Sequence, residues 1–430
     1  MAQRTSAPKT LTEEARLAKN KRIKEAGKAT RERRKTMIVK VYDLKIVQSS
    51  MNKQQKEAIK SIFHEAKWIR NAALAAERFD LDYIKELKGE VEVKVPNGDT
   101  EKRAIKHLGS QMQQSVITQL SNDRKSLSAL KKNGRKIGKL KFVRNVDSIN
   151  LKQYGVTYDL IPNSKGMMTK IRVQNIPGRL RVRGYEQLCA DSLEFANAKL
   201  VYRADGYHLV VTTYQPRAVK VAPTNKIGVD MGVKNALTLD NGEVVNAIIT
   251  GKQERMARLQ RKLSRQVKNS NSYRKTLAKI KREYQNTDHL KNEFANQLVS
   301  RLTKDSVVFF QDEMLVSWKN KNSKARGSKK IHHGVLGRVK ARLKNHENAV
   351  MLPKWVATTA WCSPCGVLTK HDVNMSVFLC SSCGFSEDRD SHAARNMVIL
   401  GERYLSLVTS GTEGCAGGGI VRLKNDLYKV

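Results

Sequence analysis

The sequence predicts a multidomain α/β protein, on three observations. Short strands with period-two alternation give way to a helical stretch and return after it, two apolar strands end on an acid, and two CxxC pairs stand close together near the C-terminal end. A length of 430 residues suggests about three domains, each able to bury a core. Lys and Arg outnumber Asp and Glu by 81 to 40, a formal net charge of +41 spread along the chain. Small soluble domains ordinarily carry a net charge of roughly 2 to 8, so a polyanion, nucleic acid first, is the expected partner.

Residues 1–36 are polar and rich in both signs, with a basic excess in KNKRIKEAGKATRERRKT. They read as a solvated helix or as an arm that orders on a polyanion. The start lacks the apolar core of a signal peptide and no run of about 18 apolar residues occurs, so a cytoplasmic protein that makes no use of a membrane is expected. MIVKVYDLKIV alternates as a strand, and Ile59, Ile62, Phe63, Ala66 and Ile69 then mark one face of a helix. A turn at Pro96, Asn97 and Gly98 precedes a second helical segment marked by Val116, Leu120, Leu127 and Leu130. Strands return in KLKFV, TKIRVQNI, RLRVRG, AKLVYRA and YHLVVTTYQ. In RLRVRG, alternation puts Arg179, Arg181 and Arg183 on one sheet face, either lining a phosphate groove or simply solvated.

From Lys226 the strands carry acids. KIGVDMGVKNALTLDNGEVV reads as a strand ending at Asp230, a second across Asn235 to Leu239, a turn at Asn241 and Gly242, and a third strand. An unpaired carboxylate inside an apolar strand is costly, so Asp230 is either paired or holds a cation. DSVVFFQDEML delivers Asp312 and Glu313 at the end of another apolar strand, and Asp390 opens a helix-favouring stretch. Together, Asp230, Glu313 and Asp390 are candidates to converge on hard divalent cations. Between the first two lies GKQERMARLQRKLSRQ, whose Met256, Leu259 and Leu263 have helical spacing beside the basic Arg255, Arg258, Arg261, Lys262 and Arg265. These five are read as nucleic-acid contacts in preference to a merely solvated face.

Cys362, Cys365, Cys380 and Cys383 form two knuckles about fourteen residues apart, close to zinc-site spacing. Four thiolates complete a tetrahedral zinc and leave no position for substrate, so this metal would be structural, with free thiols or an iron–sulfur cluster as the alternatives. Cys189 and Cys415 stand apart, and His332, His333 and His371 read as surface residues.

IGVDMGVKNALTL, VVFFQDEML and DRDSHAARN, in that order and with CSPCG and CSSCG between the last two, resemble the RuvC-type, RNase H-like nucleases of the transposon-encoded TnpB proteins, kin of the miniature type V CRISPR effectors. The resemblance covers roughly residue 37 to the end. It implies a β-barrel-like wedge domain over 37–225 with a helical recognition insert at about 50–135, following a basic extension over 1–36. A RuvC-like nuclease domain over 226–430 would then carry a basic helical segment at about 252–300 and a zinc ribbon inserted at about 355–386. It further implies two catalytic Mg²⁺ ions, with Asp230 as shared ligand and Glu313 and Asp390 completing the two shells. Guide RNA and target DNA would be the partners, with sequence read by base pairing. Three departures stand out: His392 where the family usually has Asn, Met314 where it usually has an acid or amide, and a charged arm before Met37 longer than the family's usual start. Asp312 and Asp388 are expected beside the ligands or as helix caps. The expected activity is RNA-guided, Mg-dependent DNA cleavage at a single site. An inactive RNA-guided DNA-binding repressor and an unguided zinc-ribbon nuclease or nucleic-acid-binding protein are the alternatives.

Overall fold

The computed structural model describes residues 13–95, 97–188, 193–216, 223–232, 235–246, 253–315, 334–369, 375–409 and 427–428. Pro96, Cys189, His332, His333, His371 and Cys415 fall outside them. The chain forms two compact units, Met1–Val219 and Lys220–Val430.

The first unit opens with helix α1 (Glu13–Lys35), followed by strand β1 (Met37–Ile46). Alternation along β1 sends Leu44 and Ile46 inward. Helix α2 (Lys53–Ala75) starts at a capping box, in which Asn52 and Gln55 satisfy each other's backbone N–H. Its apolar face, Ile59, Ile62, Phe63, Ala66 and Ile69, is buried. After a one-turn helix α3 (Asp82–Glu86) comes a hairpin, β2 (Glu90–Lys94) and β3 (Thr100–Ala104), turning at Gly98 with φ +100°. Sequence reading found its turn but not its charged strands, EVEVK and TEKRA, which lack β-branched alternation in the second. Helix α4 (Ser110–Lys132) buries Val116 and Leu120 but leaves Leu130 exposed.

The remaining strands of this unit are β4 (Ser148–Leu151), β5 (Tyr158–Ile161), β6 (Lys170–Val173), β7 (Leu180–Arg183), β8 (Glu194–Arg203) and β9 (Gly206–Pro216). With β1 they make one sheet in the order β4-β8-β9-β1-β7-β6-β5, antiparallel at every pairing. The KLKFV strand does not form: Lys139–Val143 is irregular, and Phe142 is 64% exposed. Asn71 bonds both the N–H and the carbonyl of Val143 while Arg70 takes the carbonyl of Lys141, so side chains of α2 supply partners a neighbouring strand would have given. The strand lies instead at Ser148–Leu151.

In the second unit, β10 (Asn225–Asp230), β11 (Leu237–Leu239), β12 (Val244–Val245), β13 (Ser306–Gln311) and β14 (Ala349–Leu352) form a mixed sheet in the order β12-β11-β10-β13-β14. β10 runs parallel to β13 and β13 parallel to β14, whereas β10 and β11 are antiparallel. The helices are α5 (Gln253–Ser264), α6 (Asn271–Thr303) and α7 (Leu336–Lys344). The ribbon hairpin β15 (Val377–Leu379) and β16 (Ser386–Asp388) leads into α8 (Arg389–Thr409). Successive side chains of β13 serve opposite layers: Val308 and Phe310 join Leu298, Leu302 and Val339 from α6 and α7, and Phe309 joins Met397 and Leu400 from α8. A core on both faces explains why VVFF is continuously apolar.

Candidate active site

Two glycines bring α8 hard against the sheet. A Cβ on Gly228 would stand 1.7 Å from the carbonyl oxygen of Ala394, and one on Gly401 would stand 2.2 Å from the ring of Phe309. Gly228 and Phe309 are register partners, so they lie on one face of the sheet. Asp230, two residues beyond Gly228, lies on that face too, about 7 Å along the strand. Asp390, four residues before Ala394, lies one turn away on the same side of α8, about 6 Å along the helix. Docking Gly228 on Ala394 therefore sets Asp230 beside Asp390. Glu313 follows the end of β13, the strand parallel to β10.

The charges report the convergence. Burial, then the negative charges of Asp390 and Glu313, push Asp230 up to about 7, against a smaller opposing effect of Arg389. Burial also raises Glu313, opposed by Lys340. Arg389 Nη2 donates to Asp390 Oδ1 at 3.0 Å, and Asn235 Nδ2 donates to Asp390 Oδ2 at 3.5 Å. The three acids do not close to the spacing of a single metal cage: among the described residues only the cysteines bring every ligand atom within 4.8 Å of the others. The donor set nonetheless fits a hard cation, because it is all oxygen and its repulsion is only partly offset by nearby side chains.

The neighbouring acids have structural partners. Asp312 accepts from Lys340 Nζ at 2.6 Å, a bond that holds its carboxyl below the usual range. Asp388 Oδ1 accepts from the backbone N–H of Asp390 at 3.1 Å and of Ser391 at 2.9 Å, capping α8. Met314 is 57% exposed.

The cysteines fit zinc. Sγ of Cys362 and Cys383 lie 3.6 Å apart, and of Cys365 and Cys380 3.5 Å, near the edge of about 3.8 Å for a tetrahedron with 2.3 Å zinc–sulfur bonds. Backbone N–H groups of Cys383 and Ser382 donate to Cys380 Sγ and pull its thiol below the ordinary value. The ribbon is tied to the acid-bearing helix through Trp361, next to Cys362. Its carbonyl accepts from Asn396 Nδ2 at 2.7 Å and lies 2.9 Å from His392 Nε2. His392 is fully buried and stacks on Phe378 at 3.9 Å between ring centroids. This family departure thus lies in the ribbon–helix joint. The sequence reading missed Gly228, Gly401 and Asn396, although IGVD and HAARN contain two of them; pattern reading has no term for close approach between elements.

The expected nucleic-acid contacts are all exposed. Arg179 precedes β7, Arg181 and Arg183 share its outer face, and Lys170 of β6 is the cross-strand partner of Arg181. In the second unit Arg255, Arg258, Arg261, Lys262 and Arg265 are exposed while Met256, Leu259 and Leu263 are half-buried. Arg255 pairs with Glu283 of α6 at 3.1 Å.

Residues 208–307 match the family OrfB_IS605, described as a probable transposase, and residues 338–397 match the Cas12f1-like TNB domain. A putative RNA-guided DNA endonuclease of Streptomyces pristinaespiralis is 26% identical over 188 residues, 42% of this chain and 46% of that protein. The putative RNA-guided DNA endonuclease InsQ of Escherichia coli (strain K12) is 24% identical over 229 residues, 48% of this chain and 57% of that protein. The chain thus spans about half the length of the curated relatives it matches. Among solved structures, a Cas12f1–sgRNA–target DNA complex has a TM-score of 0.41 at 14% identity, covering 81% of this chain and 83% of that one. The mini-RNA-guided endonuclease CRISPR-Cas_phi3 has a TM-score of 0.37 at 10% identity, covering 84% and 93%. Those two likenesses are too distant to carry an argument. The family matches and the curated relatives agree with the resemblance to the TnpB proteins and miniature type V effectors.

Proposed function

We propose that the protein is an RNA-guided DNA endonuclease that hydrolyses target DNA at one RNase H-like (RuvC) centre built from Asp230, Glu313 and Asp390. The reading is supported by three acids carried on β10, just after β13 and at the start of α8: burial, and then the negative charges of Asp390 and Glu313, raise the proton affinity of Asp230, with Arg389 offsetting only part of this. Divalent cations, Mg²⁺ in the cell, would supply charge stabilisation at the scissile phosphate and activation of the attacking water. Asp230, which feels the negative charge of both other acids, is the natural shared ligand. Asp388 and the Gly228–Ala394 contact fix the start of α8 and with it Asp390. Lys340, bonded to Asp312 and to the carbonyl of Glu313, holds the loop carrying Glu313.

The cysteine cluster is assigned a structural zinc, the second unit the nuclease role, and the first unit the role of a wedge domain whose α2–α4 region is a recognition insert. Arg179, Arg181 and Arg183, and the five basic residues at 255–265, are assigned to the phosphates of guide RNA and target DNA. The curated relatives' description as RNA-guided DNA endonucleases supports this reading.

The test measures Mg²⁺-dependent cleavage and guide-dependent DNA binding side by side on Asp230→Ala, Glu313→Ala and Asp390→Ala, using protein carrying its co-purifying RNA. Cleavage should fall by orders of magnitude while binding persists. Cleavage near the parent rate in all three would overturn the active-site assignment, and parent protein that binds DNA without cleaving it would support a repressor.

A further inference from the structure

Helix α1 is polar all round and touches its unit near its last turn. There Glu194 pairs with Arg33 at 2.9 Å and Arg34 at 2.6 Å, and the Arg34 guanidinium lies 4.4 Å from the ring centroid of Tyr214. Such a helix buries too little to be explained by its own fold. Away from the docked side, Lys21, Lys24, Lys28, Arg31 and Lys35 recur at spacings of three, four, three and four, all exposed. At 3.6 residues per turn they fall within an arc of about 80° and make a row about 21 Å long. Lys35 pairs with Glu32, and none of the other four has an ion-pair partner among the described residues. Charges scattered for solubility have no reason to keep a seven-residue repeat.

We propose that this stripe binds the sugar–phosphate backbone of a double-helical stem of the guide RNA. The inference rests on the guide reading above and adds a site for the guide outside the groove and helix already assigned. A straight row of cations on a preformed helix matches a rigid duplex, whereas a single strand would have to be ordered first. Double-stranded RNA is recognised through shape and backbone, which suits a stripe without aromatic or amide side chains.

The test compares two charge-matched doubles in the full chain, Lys24→Gln with Lys28→Gln on the stripe and Lys19→Gln with Arg22→Gln off it. Both retain good helix formers, and circular dichroism checks that they fold. Binding of a labelled RNA hairpin with a two-turn stem, and of a DNA hairpin of matching sequence, is titrated against salt. The stripe double should lower the log–log salt slope on RNA by about 1.8, about 0.9 for each duplex phosphate no longer neutralised, and the control by less than half of that. Equal effects of the two doubles, or none from either, would overturn the stripe. A loss on the DNA hairpin as large as on RNA would overturn the assignment to RNA. A parent protein that binds neither hairpin would instead overturn the guide reading itself.

Discussion

The two units treat their acids in opposite ways. In the first, Asp43 and Asp205 bracket the buried imidazole of His208, at 2.8 Å from Nδ1 and 3.0 Å from Nε2, and their other oxygens are taken by Arg203 and by Lys45 at 2.7 Å. Burial alone would raise the Asp43 carboxyl, but hydrogen bonds and charge from His208 and Arg203 more than offset it and hold it below the usual range. Glu65, buried in α2, accepts the backbone N–H groups of His107 and Leu108 ahead of α4. In the second unit Asp230 is pushed to about 7 by burial and by two further acids. A carboxylate that serves the fold comes with its donors, whereas Asp230 is left short of them, as its proposed role at a cation would require.

The largest effect that would break this comparison is in cleavage. Asp43→Ala should leave the rate per folded molecule near the parent value, while Asp230→Ala abolishes it; similar losses in a single-turnover assay would erase the distinction. Next is the ribbon. Structural zinc contributes on the order of 10 kcal/mol in small zinc-binding peptides, so Cys380→Ser should lose the metal and the order of residues 355–369 and 375–386, as read by metal analysis and hydrogen exchange. Unchanged metal content would refute the cysteine assignment.

Gly228→Ala sharpens the geometric part. Its Cβ meets backbone rather than a movable side chain, so α8 must shift, carrying Asp390 away from Asp230. Cleavage should fall more steeply than guide-dependent DNA binding. In the first unit, His208→Ala should destabilise by about 2 kcal/mol, because it removes a buried ring that contacts both Asp43 and Asp205. Chemical denaturation would check this.

The last effect is a difference in the sign of pH dependence. Asp230, raised in the fold, keeps a proton that the unfolded chain has released, so its contribution to metal-free stability falls as pH rises from about 4 toward about 7 and is flat above. Asp43, lowered in the fold, contributes stability that is present above about 4 and is lost as pH falls through its depressed value. Thermal unfolding in chelator should show the first slope in the parent and not in Asp230→Asn, while Asp43→Asn removes the second.

The sequence alone determined the elements whose signals are local. Alternation marked β1, β7, β8 and β9; a 3.6-residue period marked α2; the acids at the ends of apolar strands and the paired cysteines marked the candidate site, because charge in an apolar run and CxxC spacing are visible without a partner. It misread KLKFV and passed over SINL, because whether an extended segment becomes a strand depends on which neighbour completes its hydrogen bonds, and Asn71 of α2 did so first. It chose Asp390 as the ligand and left Asp388 either beside the ligands or as a helix cap, and the start of α8 takes Asp388 as cap. His392 read as a departure near a ligand, and only the packing of Phe378 and Trp361 around it made it a joint between ribbon and helix. Above all, the meeting of Asp230 with Asp390 depends on Gly228 and Ala394, which are 166 residues apart (394 minus 228). Contact between a strand and a helix that distant is set by the volume a missing side chain leaves free, and that space exists only once the chain has folded.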